Sequence, residues 1–401
     1  MNNKYIILIY SLVCVIIISC SESNKKKQET VIVDKLPYYI ELESSFDNFK
    51  KVNLSEIADS IEYVTIETSP QCLIRYARHI KLTSKFIFIS DFEGLYKFNR
   101  KGKFMCKIGR KGNGPGEYIN VRTFTIDETN ELVFVADNGK KQIEIFNFNG
   151  DFIKSVNLDL DLQDIAIYDN STFAYSVVCS GAEVNQYNLM LIDHNTGEVK
   201  NKYKDFYNIK GMHFFDFTTL TKHKEQLYFN DTFCDTMFVI DQKRDQIPYC
   251  IFHFGKYQII DTHLKMAKVS FVQRIILTGH NILFIYASPV KDNFMRMAMY
   301  NKHTKQLTNV TPVEDQTFKG FSGFYNDFDG IVHFWPKFVG EIGELINYYD
   351  IYRLSEIEKL NLKNNVSKTF KSDKNHNFIK TTIANKKIED NGILLIVHPK
   401  K

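Results

Sequence analysis

The stretch Ile108-Gly-Arg-Lys-Gly-Asn-Gly-Pro-Gly-Glu-Tyr118 decides how the chain is organised. It lies between two strand-like runs, residues 103–108 and 119–126. Glycine allows the positive-φ conformations that tight connections need, and Pro115 fixes one φ and cannot donate a ladder hydrogen bond. A glycine-rich segment in this position predicts a connection that leads from one small sheet to the next.

The same glycines do not form a nucleotide-binding loop. Such a loop has the spacing G-x-x-x-x-G-K-[ST] and opens a helix whose first amides hold the phosphates. Gly109, Gly112, Gly114 and Gly116 lack that spacing, and the chain after Tyr118 reads as a strand. A structural function for the glycines is therefore favoured.

A unit of strand, link, strand, turn and strand is repeated along the chain. The turns of its first three copies are Asn99-Arg-Lys-Gly102, Asn147-Phe-Asn-Gly150 and His194-Asn-Thr-Gly197. The equivalent strand begins near residues 86, 132, 172, 227, 282 and 331. One further strand precedes each copy, at residues 74–82, 119–126, 162–167, 214–220, 271–277 and 321–328. This period predicts an all-β fold: a six-bladed β-propeller of four-stranded antiparallel blades over residues 51–401.

The two ends of the propeller region predict how the ring closes. Residues 61–67 alternate between apolar and polar side chains, and residues 392–398 form a second strand-like run. We expect the two to pair in the last blade, because this removes the open edge of an unclosed array. A small helical insertion in that blade is predicted between them, at residues 344–362. The signal is the helix-like spacing of five apolar side chains: Leu345, Ile346, Tyr349, Leu354 and Ile357.

Residues 1–19 have the form of a secretion signal. Lys4 precedes an uncharged apolar run that is shorter than the roughly 20 residues a spanning helix needs. The run ends in Ile17-Ile18-Ser19-Cys20, which resembles a bacterial lipobox and predicts lipid attachment at Cys20. Residues 20–50 then form a lipidated tether and N-terminal extension. We expect an exported protein anchored in the cell envelope, with the outer membrane favoured; an ordinary signal peptide or a single-span anchor is the alternative.

Charge and cysteine content exclude several classes of protein. The formal net charge is only +4, without a basic cluster that contains aromatic residues, so no nucleic-acid partner is predicted. The cysteines show no C-x-x-C pair and no spacing typical of a zinc site. The sequence leaves open whether one disulfide forms among five of them: Cys72, Cys106, Cys179, Cys234 and Cys250.

Three segments together resemble a known family. They are residues 54–68, residues 72–74 and the glycine stretch 108–118, and residues 231–239 add a weaker match. The combination resembles the six-bladed β-propeller lipoproteins of Bacteroidetes, which are related to NHL-repeat propellers. The resemblance covers most of the chain from Leu54 onward and is weakest in the last hundred residues. It implies a propeller at the cell envelope without implying an activity.

The predicted inner strands carry a set of charged side chains that we take as channel candidates for ligand binding: Arg75, Arg78, Arg122, Asp164, Asp216 and Arg274. If they converge on the mouth of the channel, they form a funnel with a basic side. The planar guanidinium of arginine suits carboxylate and phosphate groups, such as those of acidic glycans or an acidic peptide. The alternative is that each arginine pairs with a neighbouring carboxylate in a wet channel.

Two functions remain open at this point. The first is a lipid-anchored binding protein that recognises a glycan, a peptide or a partner protein, which suits a rigid scaffold with variable loops. The second is a lyase or hydrolase centred on the channel, as in some NHL-like propellers. No histidines stand at metal-ligand spacing and no G-x-S-x-G motif occurs. No catalytic residue, metal site or cofactor is therefore predicted, and an enzyme is the less favoured hypothesis.

Overall fold

The computed structural model describes residues 36–158, 161–169, 172–177, 187–204, 220–231, 234–258, 270–288, 295–312, 323–363 and 373–400. All of them belong to one compact unit, Leu36–Lys401. The predicted signal and Cys20 lie outside the described residues, as do Asp216 and Cys179. No helix in the described part of the chain combines the length and apolarity that crossing a membrane would require.

The N-terminal part of this unit lies along the outer edges of three blades. It contributes three strands: β1 (Tyr38–Glu41), β2 (Phe49–Lys50) and β3 (Ala58–Thr65). The first two add parallel fifth strands to blades 4 and 5, and β3 is the outermost strand of blade 6. Part of the predicted N-terminal extension therefore belongs to the sheets themselves.

Blades 1 to 3 follow in sequence, each with its first strand innermost. Blade 1 consists of β4 (His79–Leu82), β5 (Phe86–Ser90), β6 (Leu95–Asn99) and β7 (Phe104–Ile108). A two-stranded link, β8 (Arg110–Lys111) and β9 (Glu117–Tyr118), leads onward. Blade 2 consists of β10 (Thr123–Asp127), β11 (Leu132–Asp137), β12 (Gln142–Asn147) and β13 (Phe152–Asn157). Blade 3 consists of β14 (Leu162–Ile167), β15 (Thr172–Val177), β16 (Tyr187–Asp193) and β17 (Val199–Lys204).

Blades 4 to 6 complete the ring. Blade 4 adds to β1 the strands β18 (Leu220–His223), β19 (Gln226–Asn230), β20 (Thr236–Ile240) and β21 (Gln246–His253). Blade 5 adds to β2 the strands β22 (Phe271–Leu277), β23 (Asn281–Ala287), β24 (Met295–Asn301) and β25 (Leu307–Val310). Blade 6 adds to β3 the strands β26 (Phe338–Val339), β27 (Leu345–Tyr349) and β28 (Ile393–Pro399). Its helices are α1 (Ile351–Lys363) and α2 (Asp373–Asn385).

The predicted closure of the ring is confirmed. Strand β28 pairs antiparallel with β3, and Val397 lies opposite Ile61 while Leu394 lies opposite Val64. The last blade thus combines strands from both ends of the described chain. The fold is the predicted six-bladed β-propeller.

The sixth blade differs from the prediction in its internal register. Residues 331–335 form no strand, and their one ladder contact is an isolated bridge between Phe324 and Phe334. The second strand of the blade is instead β27, which the apolar spacing had assigned to the helical insertion. The insertion itself is present and begins two residues after β27, where the Asp350 carboxylate accepts a hydrogen bond from the Arg353 amide at 2.7 Å.

The hydrophobic core is a ring of separate clusters, one at each junction between neighbouring blades. At the junction of blades 1 and 2, for example, Phe88 and Ile108 pack against Phe124 and Phe146. The closing junction, between blades 6 and 1, packs Leu394 with apolar side chains of β5. A single four-stranded sheet buries too little surface to be stable alone, so each blade depends on both neighbours.

The glycine stretch is the structural connection that the sequence predicted. It runs from β7 of blade 1 to β10 of blade 2, and Glu117 organises it by accepting a hydrogen bond from the Gly114 amide at 2.8 Å. A Cβ atom at Gly112 would lie 2.1 Å from Oε2 of Glu117, so a side chain cannot be accommodated unless Glu117 moves. The Tyr118 hydroxyl donates to the Ile108 carbonyl at 3.0 Å and ties the end of the stretch back to blade 1.

Candidate ligand-binding face

The inner strands all begin on one side of the ring, which we call the upper face. It is formed by the segments that lead into the inner strands and by the turns between the second and third strands of the blades. In blade 1, the Asp91 carboxylate fixes both kinds of segment. It accepts hydrogen bonds from the Glu93 amide at 2.7 Å and from the more distant Arg75 amide at 3.4 Å.

Blade 2 repeats this arrangement with Asp137, which accepts from the Gly139 amide at 2.9 Å and from the Ile119 amide at 2.7 Å. Asp91 directly follows β5, and Asp137 is the last residue of β11, so both stand at the end of the second strand of their blade. Burial raises the pKa of Asp91, while the amide hydrogen bonds lower it. In blades 1 and 2, an aspartate at the end of the second strand therefore anchors the upper-face loops.

Three of the predicted arginines connect neighbouring blades at the upper face. Arg78 donates from Nη1 to the Val121 carbonyl of blade 2 at 3.1 Å. Arg122 donates from Nη2 to Oε1 of Gln163 in blade 3 at 2.8 Å.

Arg274 donates from Nη1 to the Lys337 carbonyl in blade 6 at 2.7 Å. All three arginines are therefore held in place by hydrogen bonds across blade junctions.

The remaining predicted residues have different environments. Asp164 is buried and accepts a hydrogen bond from the Leu220 amide of blade 4 at 3.0 Å, so its carboxylate also links two blades. Arg75 is exposed, and its side chain makes no hydrogen bond or ion pair within the described residues. Asp216 lies outside the described residues, so the structure does not place it.

Two exposed aromatic side chains lie beside these arginines, and sequence reasoning did not select them. Tyr76 is 50% exposed and Phe92 is 60% exposed. Their rings are stacked, with centroids 6.1 Å apart and planes inclined by 26°. Because the two rings adjoin, they form a contiguous exposed apolar patch, and patches of this kind often mark interaction sites.

Cations lie against both rings. The guanidinium carbon of Arg78 is 5.0 Å from the centroid of Phe92, and Nζ of Lys337 is 4.8 Å from the centroid of Tyr76. The Lys337 ammonium also approaches the Tyr76 hydroxyl at 3.5 Å. We call the four side chains Tyr76, Phe92, Arg78 and Lys337 the aromatic platform.

Direct contacts extend the platform into a basic arc around the mouth of the channel. Arg274 of blade 5 contacts Lys337 of blade 6, and Lys337 contacts Tyr76 of blade 1. Arg78 contacts blade 2, from which Arg122 reaches blade 3. The arc therefore follows the inner strands of five blades.

Sequence signals for the missed residues existed only in part. Tyr76 lies between Arg75 and Arg78, so it could have been selected with them. Lys337 was missed because the sixth inner strand was expected at residues 321–328, whereas it is β26, immediately after Lys337. Phe92 carries no signal of its own, since its exposure depends on the turn that follows Asp91.

The described residues contain no group of three or more histidine, cysteine or acidic side chains that could hold a metal ion. The four described cysteines that were disulfide candidates form no disulfide with one another: Cys72, Cys106, Cys234 and Cys250. Burial raises the pKa of the Cys250 thiol well above its usual range. Such a buried thiol is inert at neutral pH.

Solved structures of several bacterial proteins resemble the chain. A Bacteroides fragilis protein, named as a candidate exported protein, superposes with a TM-score of 0.67 at 17% identity over 91% of this chain and 100% of its own. A member of the DUF4221 family from Bacteroides vulgatus gives a TM-score of 0.43 at 12% identity, covering 63% of this chain and 84% of its own. Virginiamycin B lyase from Staphylococcus aureus gives a TM-score of 0.41 at 13% identity, covering 65% of this chain and 77% of its own.

At 17% identity, the likeness to the B. fragilis protein indicates a shared fold only. A comparison with curated protein sequences gives no significant match. One family model, described as a domain of unknown function, DUF4934, matches residues 37–398 and so spans nearly the whole described unit. The chain belongs to the DUF4934 family.

Proposed function

We propose that this protein is a recognition protein of the cell envelope whose upper face binds an acidic glycan. The observation that carries the proposal is the aromatic platform, in which two exposed, stacked rings each have a cation against them. The platform is built on loops that blade-to-blade hydrogen bonds hold in place. A preorganised surface of this kind loses little conformational freedom on binding.

The chemistry of the platform matches a sugar ring that carries a carboxylate. The flat apolar faces of Tyr76 and Phe92 suit the C–H face of a pyranose ring, and aromatic rings contribute large contact areas at low entropic cost. Arginine and lysine beside the rings supply charge-assisted hydrogen bonds to carboxylates. Arg75 stands next to the platform and adds an exposed positive charge.

Lipid anchoring on Cys20 and delivery to the outer membrane belong to the same proposal. They are supported by the signal and the lipobox-like residues 17–20, and the similar B. fragilis protein is named as a candidate exported protein. Metabolic labelling with a radioactive fatty acid tests the anchor. We expect label in the wild type and none in Cys20→Ser; equal labelling of both contradicts the anchor.

Binding is tested with oligogalacturonate as the acidic probe, maltooligosaccharide as the neutral one and an oligoglutamate peptide as the acidic non-sugar. We expect oligogalacturonate to bind and the Tyr76→Ala/Phe92→Ala variant to lose binding at least tenfold, since two stacking side chains are removed. The matched control is Tyr39→Ala, which removes a ring that is 64% exposed on the edge of blade 4. Preference for the peptide would assign the site to an acidic protein, and cleavage of the sugar would make the protein an enzyme.

A further inference from the structure

The opposite side of the ring, which we call the lower face, contains a cavity of about 1300 Å³ at the mouth of the channel. It is lined by the turns that follow the inner strands of blades 2, 3, 4 and 6 and by a second turn of blade 4, residues 240–244. Cavities that bind small ligands in proteins commonly measure roughly 300–1000 Å³, so this one can hold a ligand of several residues. It lies away from the aromatic platform, at the other ends of the inner strands.

Most of the charged side chains around this cavity already have partners. Lys222 pairs with Glu225 at 3.2 Å, and Arg244 lies 4.0 Å from Asp169. The Glu128 carboxylate accepts a hydrogen bond from the Ser84 amide at 3.0 Å. These pairs shape the wall and leave little capacity for a ligand.

Three charged side chains in the cavity wall have no such partner. Lys224 and Lys243 make no side-chain hydrogen bond or ion pair within the described residues, and the same is true of the Glu341 carboxylate. The two lysines belong to turns of blade 4, whereas Glu341 belongs to the turn of blade 6. Each is therefore available to a bound ligand.

The position of Glu341 separates it from the lysines. Its amide donates to the Leu82 carbonyl at 2.9 Å, at the end of the inner strand of blade 1. In a ring of six blades, blade 4 lies diametrically opposite blade 1, so the lysines and Glu341 face each other across the mouth. The Glu341 side chain is exposed to solvent at this mouth, and the nearby Lys81 and Lys222 ammonium groups favour its charged form.

We propose that the lower mouth is a second binding site, which takes a short peptide with a free amino end and a free carboxyl end. The carboxylate of Glu341 receives the ammonium group, and Lys224 and Lys243 receive the carboxylate. Ile342, which is 74% exposed beside Glu341, supplies an apolar contact for a side chain of the ligand. Complementary charges at two ends of a cavity fix the orientation of a ligand more than they raise its affinity.

The test is calorimetric titration with trialanine and a mixed tripeptide pool, beside N-acetylated trialanine and trialanine amide. We expect free trialanine to bind, and Glu341→Gln to weaken this binding about tenfold or more, because an ion pair becomes a neutral contact. Binding of the N-acetylated form should be weaker than that of trialanine and insensitive to Glu341→Gln. The double variant Lys224→Gln/Lys243→Gln should weaken the binding of trialanine and leave the binding of trialanine amide unchanged.

Controls separate this site from the upper face and from general charge effects. Lys305→Gln removes a lysine from a lower-face turn of blade 5 that does not line the cavity, and should leave affinity unchanged. Tyr76→Ala/Phe92→Ala should also leave it unchanged, so this test and that of the glycan site can fail independently. The proposal is overturned if neither trialanine nor the pool binds at millimolar concentration, or if Glu341→Gln binds trialanine as the wild type does.

Discussion

The turn glycines of the first two blades should control how tightly neighbouring blades meet. Gly102 and Gly150 occupy the same position in their turns, at φ +77° and +89°. A Cβ atom at Gly102 would lie 2.0 Å from the Thr65 carbonyl oxygen of β3, and one at Gly150 would lie 2.3 Å from the Lys107 carbonyl oxygen of β7. Each glycine thus allows the backbone of the preceding blade to approach.

The structure contains a matched control for this effect. Gly197 has the same turn position in blade 3 and a similar φ of +75°, but its Cβ would lie at an ordinary 3.8 Å from Cγ1 of Val156. Alanine in the left-handed region costs about 1–2 kcal/mol wherever it occurs. Gly197→Ala should therefore lower the free energy of unfolding by about that amount.

Gly102→Ala should be more destabilising because two further costs arise. The turn must move away from β3, and overpacking of this kind costs about 1–3 kcal/mol. The hydrogen bond from the Glu67 amide to the Gly102 carbonyl, 2.9 Å long, is then weakened, which costs about 1 kcal/mol. We expect Gly102→Ala to lower the free energy of unfolding by about 3–6 kcal/mol and Gly150→Ala to behave similarly.

Urea unfolding followed by circular dichroism measures all three variants under the same conditions. The comparison depends on the difference between variants, so errors of extrapolation largely cancel. If Gly102→Ala and Gly197→Ala lose the same stability within about 0.5 kcal/mol, the close approach of blades 6 and 1 at this turn is wrong.

Three further predictions concern stability, pH and charge. Asn391→Ala should cost about 3 kcal/mol in urea unfolding, because the buried amide oxygen accepts from the Ile74 amide at 2.7 Å and its nitrogen donates to two carbonyls; a loss below about 1 kcal/mol contradicts this. Burial, with Lys302 and Lys224 nearby, lowers the pKa of His223 to about 4. The neutral His223 side chain therefore contributes its full stability above its unfolded-state pKa of about 6.5, and this contribution is lost as pH falls towards 4. The urea midpoint of His223→Gln should depend less on pH over that range than the midpoint of the wild type. An equal pH dependence in the two proteins refutes the assignment. Arg75→Gln should weaken oligogalacturonate binding roughly two- to tenfold at low salt and less at high salt, whereas Lys101→Gln on the lower face should have no effect.

The first blades could be predicted from the sequence because local turn chemistry specifies them. The turns that end in Gly102 and Gly150 need positive φ, which only glycine adopts at little cost. The strands before them alternate or run apolar in the way that buried strands do. Local signals and the tertiary fold agree in these blades, so the spacing of the strand-and-turn repeat could be predicted from the sequence.

The sixth blade could not be predicted in the same way because tertiary pairing overrides its local pattern. Leu345 and Ile346 share a helix-like spacing with Leu354, yet they lie in β27 because β28 pairs beside them. Residues 331–334 look like a strand but pack as a loop in the cluster between blades 5 and 6. Inner strand β26 has only two residues and leaves no detectable pattern.

The candidate sites were predictable only where residue type mattered more than position. Arg78, Arg122 and Arg274 each form a hydrogen bond across a blade junction, but Arg78 and Arg122 precede the inner strands on which they were expected. The rings of Tyr76 and Phe92 become a platform only because loops of one blade bring them together. Glu341 lines the same cavity as Lys224 and Lys243 only because the ring closes, and no local pattern carries that information.

The most direct test of the proposed recognition function is a crystal structure of the protein soaked with oligogalacturonate. We expect a sugar ring stacked on Tyr76 and Phe92, with its carboxylate within hydrogen-bonding distance of Arg78 or Lys337. Sugar density at any other place on the protein, or an empty platform at saturating concentration, would contradict it.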